Sequence, residues 1–199
     1  MATRNAVKTA KTEIKELSPE LWTDIEKLFG ANGACGGCWC MSWRVQKGEQ
    51  WNEIKGPLAK EKFKAMVLSG GAHGLIAYAD GEPVGWCSFD KRQDYFKLDR
   101  APSLKCDDAD EVWSVPCFFI KKQFRGQNIG TALLERAVQS IKSKGGKIIE
   151  GYPTGPFKDG KKTPDAFAWT GTLRMFEKSG FKRADDKDSG KIRMRMLIK

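Results

Sequence analysis

The chain has 199 residues, of which 40% are hydrophobic, and this is enough for one domain with a sizeable core. Its net charge of +10 suits an anionic ligand, but basic and acidic residues are interleaved, which favours a solvated surface over a nucleic-acid-binding face. No apolar run reaches the length of a membrane span or forms a signal-peptide core, so a cytoplasmic protein with no membrane partner is expected.

Residues 1–11 are basic and have no apolar face, so we expect a flexible N-terminal tail followed by one domain over residues 12–199. The domain is predicted to open with a strand over residues 13–17. A helix should then begin after Ser18, which is a favourable N-cap, and end near Gly30.

A second helix is predicted over residues 58–68, where apolar residues recur at helical spacing. Two short strands, residues 73–79 and 83–89, should follow as a β-hairpin. Asp80 and Gly81 lie between them, and this dipeptide is a strong signal for a tight turn.

A strand over residues 112–120 is predicted next, followed by a short basic turn, a helix over residues 127–144 and a strand over residues 147–152. A helix that begins just after a strand and a glycine-containing turn presents free backbone N–H groups at one point. The helix dipole adds positive potential there. Three cations lie in the turn: Lys121, Lys122 and Arg125. The sequence therefore predicts a site for a pyrophosphate group.

The turn reads Arg125-Gly-Gln-Asn-Ile-Gly130, which is neither a dinucleotide-binding G-x-G-x-x-G nor a P-loop. It resembles the cofactor-binding motif of the GCN5-related N-acetyltransferase (GNAT) family, Gln/Arg-x-x-Gly-x-Gly/Ala. Arg125 fills the first place and Gly130 the last. Asn128 stands where the middle glycine is usual, and asparagine tolerates the left-handed backbone that the turn needs.

The C-terminal part carries a second match. Leu173-Arg-Met-Phe-Glu-Lys-Ser-Gly-Phe181 resembles the last helix and strand of GNAT proteins. This short helix should end at Gly180, and strands are predicted over residues 181–184 and 192–198. An additional helix is expected to begin at Thr163, which has the character of an N-cap.

The resemblance implies an α/β fold with one GNAT-type acyl-CoA N-acyltransferase domain. Its mixed sheet would have an antiparallel front and a parallel βαβ centre, flanked by helices. It implies direct transfer of an acetyl group from acetyl-CoA to a small-molecule or peptide amine, without a metal. The cofactor contacts it implies are Phe118, Phe119, Ile120, Arg125, Gly126, Gln127, Asn128, Ile129, Gly130, Thr131 and Phe176. A dimer is compatible with the sequence, which does not set the oligomeric state.

Two alternatives stay open. A GNAT-fold protein could bind acyl-CoA with little turnover, since Phe176 stands where many members have a tyrosine, and Trp169 replaces a usual asparagine. A basic nucleic-acid-binding module is the other. For catalysis, Glu111 and Glu150 are the candidate bases, although either could be an exposed strand-end residue. Tyr152 or a water would protonate the leaving thiolate, unless no acid is used.

The segment Cys35-Gly-Gly-Cys-Trp-Cys40 is an apparent metal motif, but a zinc site needs four ligands and no second cysteine pair follows. Structural thiols without a metal are therefore expected. The neighbouring Trp39, Trp43 and Arg44 could stack on and pair with an acceptor. The alternative is that the two tryptophans, four residues apart, form one buried face of a helical turn.

Overall fold

The computed structural model describes residues 12–155, 157–158, 161–162, 168–184 and 192–198. The expected basic tail, residues 1–11, and the helix start expected at Thr163 lie outside the described residues.

The described residues form one large sheet flanked by helices. The strands are β1 (Thr12–Glu16), β2 (Gly74–Ala79), β3 (Glu82–Lys91), β4 (Val112–Ile120), β5 (Ile148–Gly151), β6 (Phe157–Lys158), β7 (Lys161–Lys162), β8 (Lys182–Arg183) and β9 (Met194–Leu197). The helices are α1 (Trp22–Phe29), α2 (Trp51–Ile54), α3 (Pro57–Leu68), α4 (Ile129–Ser143) and α5 (Leu173–Lys178). Among them, no helix has the length and apolarity needed to cross a bilayer.

The seven-stranded sheet has the order β1-β2-β3-β4-β5-β9-β8, while β6 and β7 form a separate hairpin. Strands β4 and β5 run parallel and are joined by α4, and the other pairs of the large sheet are antiparallel. This is the predicted arrangement, a mixed sheet with an antiparallel front and a parallel βαβ centre.

The β2–β3 hairpin turns where the sequence predicts it. Asp80 and Gly81 have φ angles of 49° and 82°, and two successive left-handed residues match the right-handed twist of the flanking strands. The predicted first helix is also present, but it begins as a short 3-10 turn over Pro19–Leu21 before α1. The four-residue α2 was not predicted, because one helical turn is too short to show a periodic pattern.

The sheet separates two hydrophobic clusters, because successive side chains of a strand point to opposite faces. Along β2, Leu75 and Ala77 face a cluster that includes α4 and α5, whereas Ile76 and Tyr78 face a cluster that includes α1 and α3. Helices therefore cover both faces, and the site must lie at an edge or an interruption of the sheet.

The interruption lies between β4 and β5. Their parallel pairing ends at Val115 and Gly151. There β4 contains one extra residue relative to β3, since Ser88 lies opposite Cys117 but Asp90 lies opposite Ser114. This bulge bends β4 away from β5.

Residues 168–172, which we call the fork segment, lie between the separated strands. The N–H of Phe118 donates to the carbonyl of Trp169 at 2.7 Å, and the N–H of Thr154 donates to the carbonyl of Gly171 at 2.9 Å. The fork segment thus satisfies backbone groups on both sides and holds the strands apart.

Gly151 is required at the last paired position of β5. A Cβ atom there would lie 2.0 Å from Cε1 of the fully buried Phe176. We predict that Gly151→Ala lowers the free energy of unfolding by about 1–3 kcal/mol through overpacking. Chemical denaturation measures this. Gly71→Ala is the matched control, because its nearest contact, Ser69 Oγ at 3.4 Å, is an ordinary one. Equal stability of the two variants would contradict the packing argument.

Candidate functional site

A cleft of about 880 Å³ opens where β4 and β5 separate. It is lined by the end of β4, the turn before α4, the start of α4, the fork segment, α5 and part of the segment between α1 and α2. The lining residues on β4 and in the following turn and helix are Cys117, Phe118, Phe119, Ile120, Phe124, Arg125, Gly126, Asn128, Ile129, Gly130 and Thr131.

The turn before α4 has the backbone that an anion site needs. Gly126 and Asn128 both have left-handed φ angles, 75° and 66°, so asparagine supplies the conformation usually given by glycine. The first hydrogen bond of the helix is from the N–H of Ala132 to the carbonyl of Asn128. The N–H groups just before it are therefore available to a ligand at the positive end of the helix dipole. Arg125 fixes the turn, since its Nε donates to the carbonyl of Ile120 at 3.0 Å.

The cleft is positively charged. Arg125, Arg174 and Lys178 line it, and none of the described lining residues is an aspartate or a glutamate. An anionic group is therefore attracted to the turn and to α5 without an opposing carboxylate.

Strand β4 offers fewer free N–H groups than the sequence predicts. The N–H of Phe118 is already bonded to the fork segment. Because N–H groups alternate in direction along an antiparallel strand, that of Phe119 points to β3 and that of Ile120 points to the cleft. Among the three predicted strand N–H groups, only that of Ile120 faces a ligand.

Two predicted cofactor contacts lie elsewhere. Phe176 is fully buried and packs against Phe118 and Phe181, with ring centroids 6.2 and 5.1 Å apart. The prediction that Phe176 contacts the cofactor is therefore wrong. The residue lies in the hydrophobic core and packs behind the wall of the cleft. Gln127 is exposed and donates to the carbonyl of Gln123 at 3.1 Å, outside the cleft.

The structure does not bring Glu150 and Tyr152 to the cleft. Glu150 is completely buried, and Arg195 donates to its Oε1 from Nη2 at 2.6 Å and from Nε at 2.9 Å. The hydroxyl of Tyr152 donates to Glu150 at 3.2 Å and also receives a bond from Arg92 at 3.1 Å. Burial raises the pKa of Tyr152, and the negative charge of Glu150 raises it further. Both residues belong to a structural network beneath the sheet.

Glu111 is exposed and precedes the first residue of β4, whereas the cleft begins at Cys117. The two positions are six residues apart along the strand, a distance of roughly 20 Å. Glu111 is therefore at the wrong end of β4 for a base. The sequence could not show this, because it did not reveal where β4 leaves its neighbour.

The predicted acceptor residues are all buried. Trp39 packs against Trp22 with a centroid distance of 6.1 Å, and Trp43 lies in a different cluster, 6.3 Å from Tyr152. Both tryptophans are buried, as the second interpretation expects, but they lie in different clusters and do not share one face of a helical turn. The guanidinium of Arg44 forms a buried ion pair with Asp90, so it has no free charge for an acceptor.

Several lining residues were not predicted. Trp169 of the fork segment is 39% exposed and packs against Trp43 at 5.8 Å. Four thiols, those of Cys35, Cys38, Cys40 and Cys117, also line the cleft. Cys38 and Cys40 were treated as structural because no second cysteine pair follows them in the sequence, and the pairing with Cys117 depends on the fold. In the described part of the chain, no three His, Cys, Asp or Glu side chains are placed to hold a metal ion.

Comparison with known proteins identifies the architecture. A family model described as the acetyltransferase (GNAT) family matches residues 39–152. No curated protein matches the chain.

Solved structures with this fold include PaiA N-acetyltransferase from Thermoplasma acidophilum in complex with coenzyme A. It is 18% identical, covers 94% of this chain and 99% of its own, and has a TM-score of 0.53. YncA from Salmonella typhimurium, solved with its cofactor acetyl-CoA, is 13% identical over 94% and 93% of the two chains, with a TM-score of 0.51. A ribosomal-protein-S5-alanine acetyltransferase from Vibrio fischeri is 10% identical over 94% and 92%, with a TM-score of 0.53.

If Glu150 is structural, its removal should affect folding more than ligand binding. We predict that Glu150→Gln lowers the free energy of unfolding by about 3 kcal/mol, because the Arg195 guanidinium loses its buried partner. Glu111→Gln is the matched control and should change stability by less than about 0.5 kcal/mol. Denaturant titration measures both. A stable Glu150→Gln protein without activity would instead identify Glu150 as the base.

Proposed function

The chain belongs to the GNAT acetyltransferase family, and on that premise we propose that it transfers the acetyl group of acetyl-CoA to an amine. The amine attacks the thioester directly. We further propose that the acceptor is a small molecule or a peptide, bound at the end of the cleft formed by Trp169 and the segment between α1 and α2.

One observation carries the proposal: a cationic helix N-terminus and an exposed strand edge line the same cleft. The backbone N–H groups at Gly126, Gly130 and Thr131 suit the pyrophosphate of coenzyme A. Arg174 and Lys178 on α5 add positive charge for its phosphates. The edge of β4 suits the amide-containing pantetheine arm, which would lead the thioester toward the fork.

The chemistry needs the carbonyl to be polarised and the amine to be neutral. In this proposal the N–H of Ile120, the free strand donor that faces the cleft, binds the pantetheine arm and orients the thioester at the fork. The leaving thiolate needs little help, because the pKa of an ordinary thiol, about 8.5, lies close to neutral pH. This accounts for catalysis without a tyrosine at position 176.

We predict that acetyl-CoA binds the purified protein with micromolar affinity, and that Arg125→Glu combined with Gly126→Asp weakens binding by about 100-fold, or ~2.7 kcal/mol. The two changes place carboxylates where the pyrophosphate should lie. Isothermal titration calorimetry measures the affinity.

Lys142→Glu is the matched charge reversal, because Lys142 is exposed near the far end of α4. It should bind as the wild type does. Circular dichroism checks that the three proteins are folded. Folded wild-type protein that fails to bind acetyl-CoA would overturn the proposed function, and equal weakening by Lys142→Glu would place the ligand elsewhere.

We also predict that release of free coenzyme A depends on an added amine. A panel of small amines and short peptides with free N-termini, assayed with a thiol-reactive dye, measures this. Tight acetyl-CoA binding with no amine-dependent release across the panel would favour the acyl-CoA-binding alternative. Nucleic-acid affinity that falls steeply with salt, and that acetyl-CoA does not reduce, would favour the nucleic-acid-binding module.

A further inference from the structure

The ionisable side chains among the described lining residues are cations and thiols. Apart from the three cations, the described lining residues that can ionise are cysteines, and none is an aspartate, glutamate, histidine or tyrosine. The carboxylates favoured by the sequence are either buried in an ion-pair network or at the opposite end of β4. Among the described lining residues, the thiols are therefore the candidate bases for the acceptor ammonium.

Cys40 and Cys117 meet at the fork. Cys117 is on β4, immediately after the bulge, and Cys40 approaches it from the segment between α1 and α2. Cys117 packs against the hydrophobic cluster that contains Cys40, and its side chain lowers the pKa of Cys40. Both residues line the cleft, at the place where β4 has left β5 and the acetyl group would lie.

The backbone that presents Cys40 is strained. Trp39 and Cys40 have φ angles of 42° and 59°, a left-handed conformation that non-glycine residues adopt at a cost of about 1–3 kcal/mol each. The segment is built around this conformation, because a Cβ atom on Gly33 would lie 2.4 Å from Nε1 of Trp39. Two adjacent residues of this kind position the Cys40 side chain with little freedom, and strain of this type is concentrated at functional sites.

Cys40 is buried in a hydrophobic cluster, and a hydrogen-bond donor lies beside its sulfur. The indole N–H of Trp86 donates to its sulfur at 3.3 Å, and the Ser88 side chain lowers the pKa of Cys40. The hydroxyls of Ser88 and Tyr95 share a hydrogen bond of 2.7 Å. The guanidinium of Arg44 adds a nearby positive charge. These groups stabilise a thiolate over a thiol.

Together they lower the pKa of Cys40 to about 7. The Cys117 side chain contributes most, burial opposes it, and Ser88, Arg44 and Trp86 contribute further. The Cys40 side chain and burial raise the pKa of Cys117 well above the ordinary value.

The other groups facing Cys40 stay protonated. Burial raises the pKa of Cys38 to about 11, and it raises those of Cys87 and Tyr95 well above their ordinary values. Two adjacent groups whose pKa values are pushed apart are typical of an acid–base pair.

We propose that the Cys40 thiolate is the general base of acetyl transfer, and that Cys117 is the residue that positions and stabilises it. This rests on the proposed function. The thiolate takes one proton from the acceptor ammonium, directly or through one water, giving a Cys40 thiol and a neutral amine. The amine nitrogen bonds to the acetyl carbon, the carbon–sulfur bond of acetyl-CoA breaks, and the departing thiolate receives the second nitrogen proton. Cys40 then returns its proton to solvent.

The first test needs no acceptor. The difference in thiolate absorbance at 240 nm between the wild type and Cys40→Ser is followed from pH 5 to pH 10. A midpoint near pH 7 is expected, and one above about pH 8.5, the ordinary thiol value, would overturn the proposal. Cys117→Ala removes this neighbouring thiol and should shift the Cys40 midpoint upward by more than half a pH unit, which is measured against the Cys40→Ser, Cys117→Ala double variant.

The second test is the pH dependence of kcat/KM with the best amine of the panel. The wild type should lose activity below about pH 7 as Cys40 becomes protonated. Cys40→Ser should lose about 10²–10⁴-fold at neutral pH, together with that acid limb, while acetyl-CoA affinity stays within about twofold. Cys117→Ala should move the limb to higher pH and regain activity at pH 9, which a merely structural role would not cause. Cys106→Ser, outside the cleft, is the control and should match the wild type.

The outcomes separate the two proposals. Loss of acetyl-CoA binding by wild-type protein overturns the function itself. Normal binding with full activity of Cys40→Ser overturns the base and leaves the function standing. Intact-mass analysis after incubation with acetyl-CoA alone tests whether the acetyl group is first transferred to the protein. If an acetyl adduct forms rapidly on Cys40 and is then transferred to an added amine, Cys40 is a nucleophile and the proposal of a general base is overturned. If no amine reacts, the absorbance titration decides.

Discussion

The structure depends on the separation of β4 from β5. The parallel pairing stops at Val115 and Gly151, the last residue of β5, while β4 continues to Ile120 and a bulge turns it outward. Pro116 lies within this bulge and has no N–H to contribute to a ladder. The fork segment accepts the N–H groups that the lost pairing would leave unsatisfied. Opening a sheet in this way costs little backbone hydrogen bonding and creates a cleft beside a helix N-terminus.

The separation of β4 from β5 also explains why Glu150 and Tyr152, which the sequence favours as catalytic residues, are structural. Glu150 and Tyr152 occupy neighbouring positions on and after β5, beneath the fork, where burial requires each polar group to have a partner. Arg195 and Arg92 supply those partners. Asp108 extends the network, and the Arg195 guanidinium holds the pKa of Asp108 below its usual range. Ion pairs and hydrogen bonds thus hold β5 and β9 together, whereas the ionisable groups among the described residues of the cleft are cations and thiols.

Elements defined by local pattern were predictable. The strand over residues 112–120, the Asp80–Gly81 turn and the helix ending before Gly145 follow from β-propensity, turn chemistry and helical periodicity, which act over a few residues. The left-handed Asn128 was predictable from the resemblance to the GNAT motif, in which a glycine is usual at this place.

Contacts between distant segments were not predictable in this way. Cys40 and Cys117 are close in the fold although they are 77 positions apart in the chain. Trp39 and Cys40 adopt left-handed φ angles that their residue types do not indicate. The positions of Glu111 and Glu150 relative to the cleft were not predicted, because the sequence indicates their strands but does not indicate where the pairing between those strands ends.

The central claim is that the fork cleft, with the turn before α4 and the Ile120 edge of β4, binds acetyl-CoA. Hydrogen–deuterium exchange with and without coenzyme A tests it most directly, because the proposed contacts are largely backbone amides. The account predicts slower exchange at the amides of Ile120, residues 126–131 and α5, with no change in the β2–β3 hairpin turn. Unchanged exchange at residues 126–131 under saturating coenzyme A, or protection confined to another surface, would contradict it.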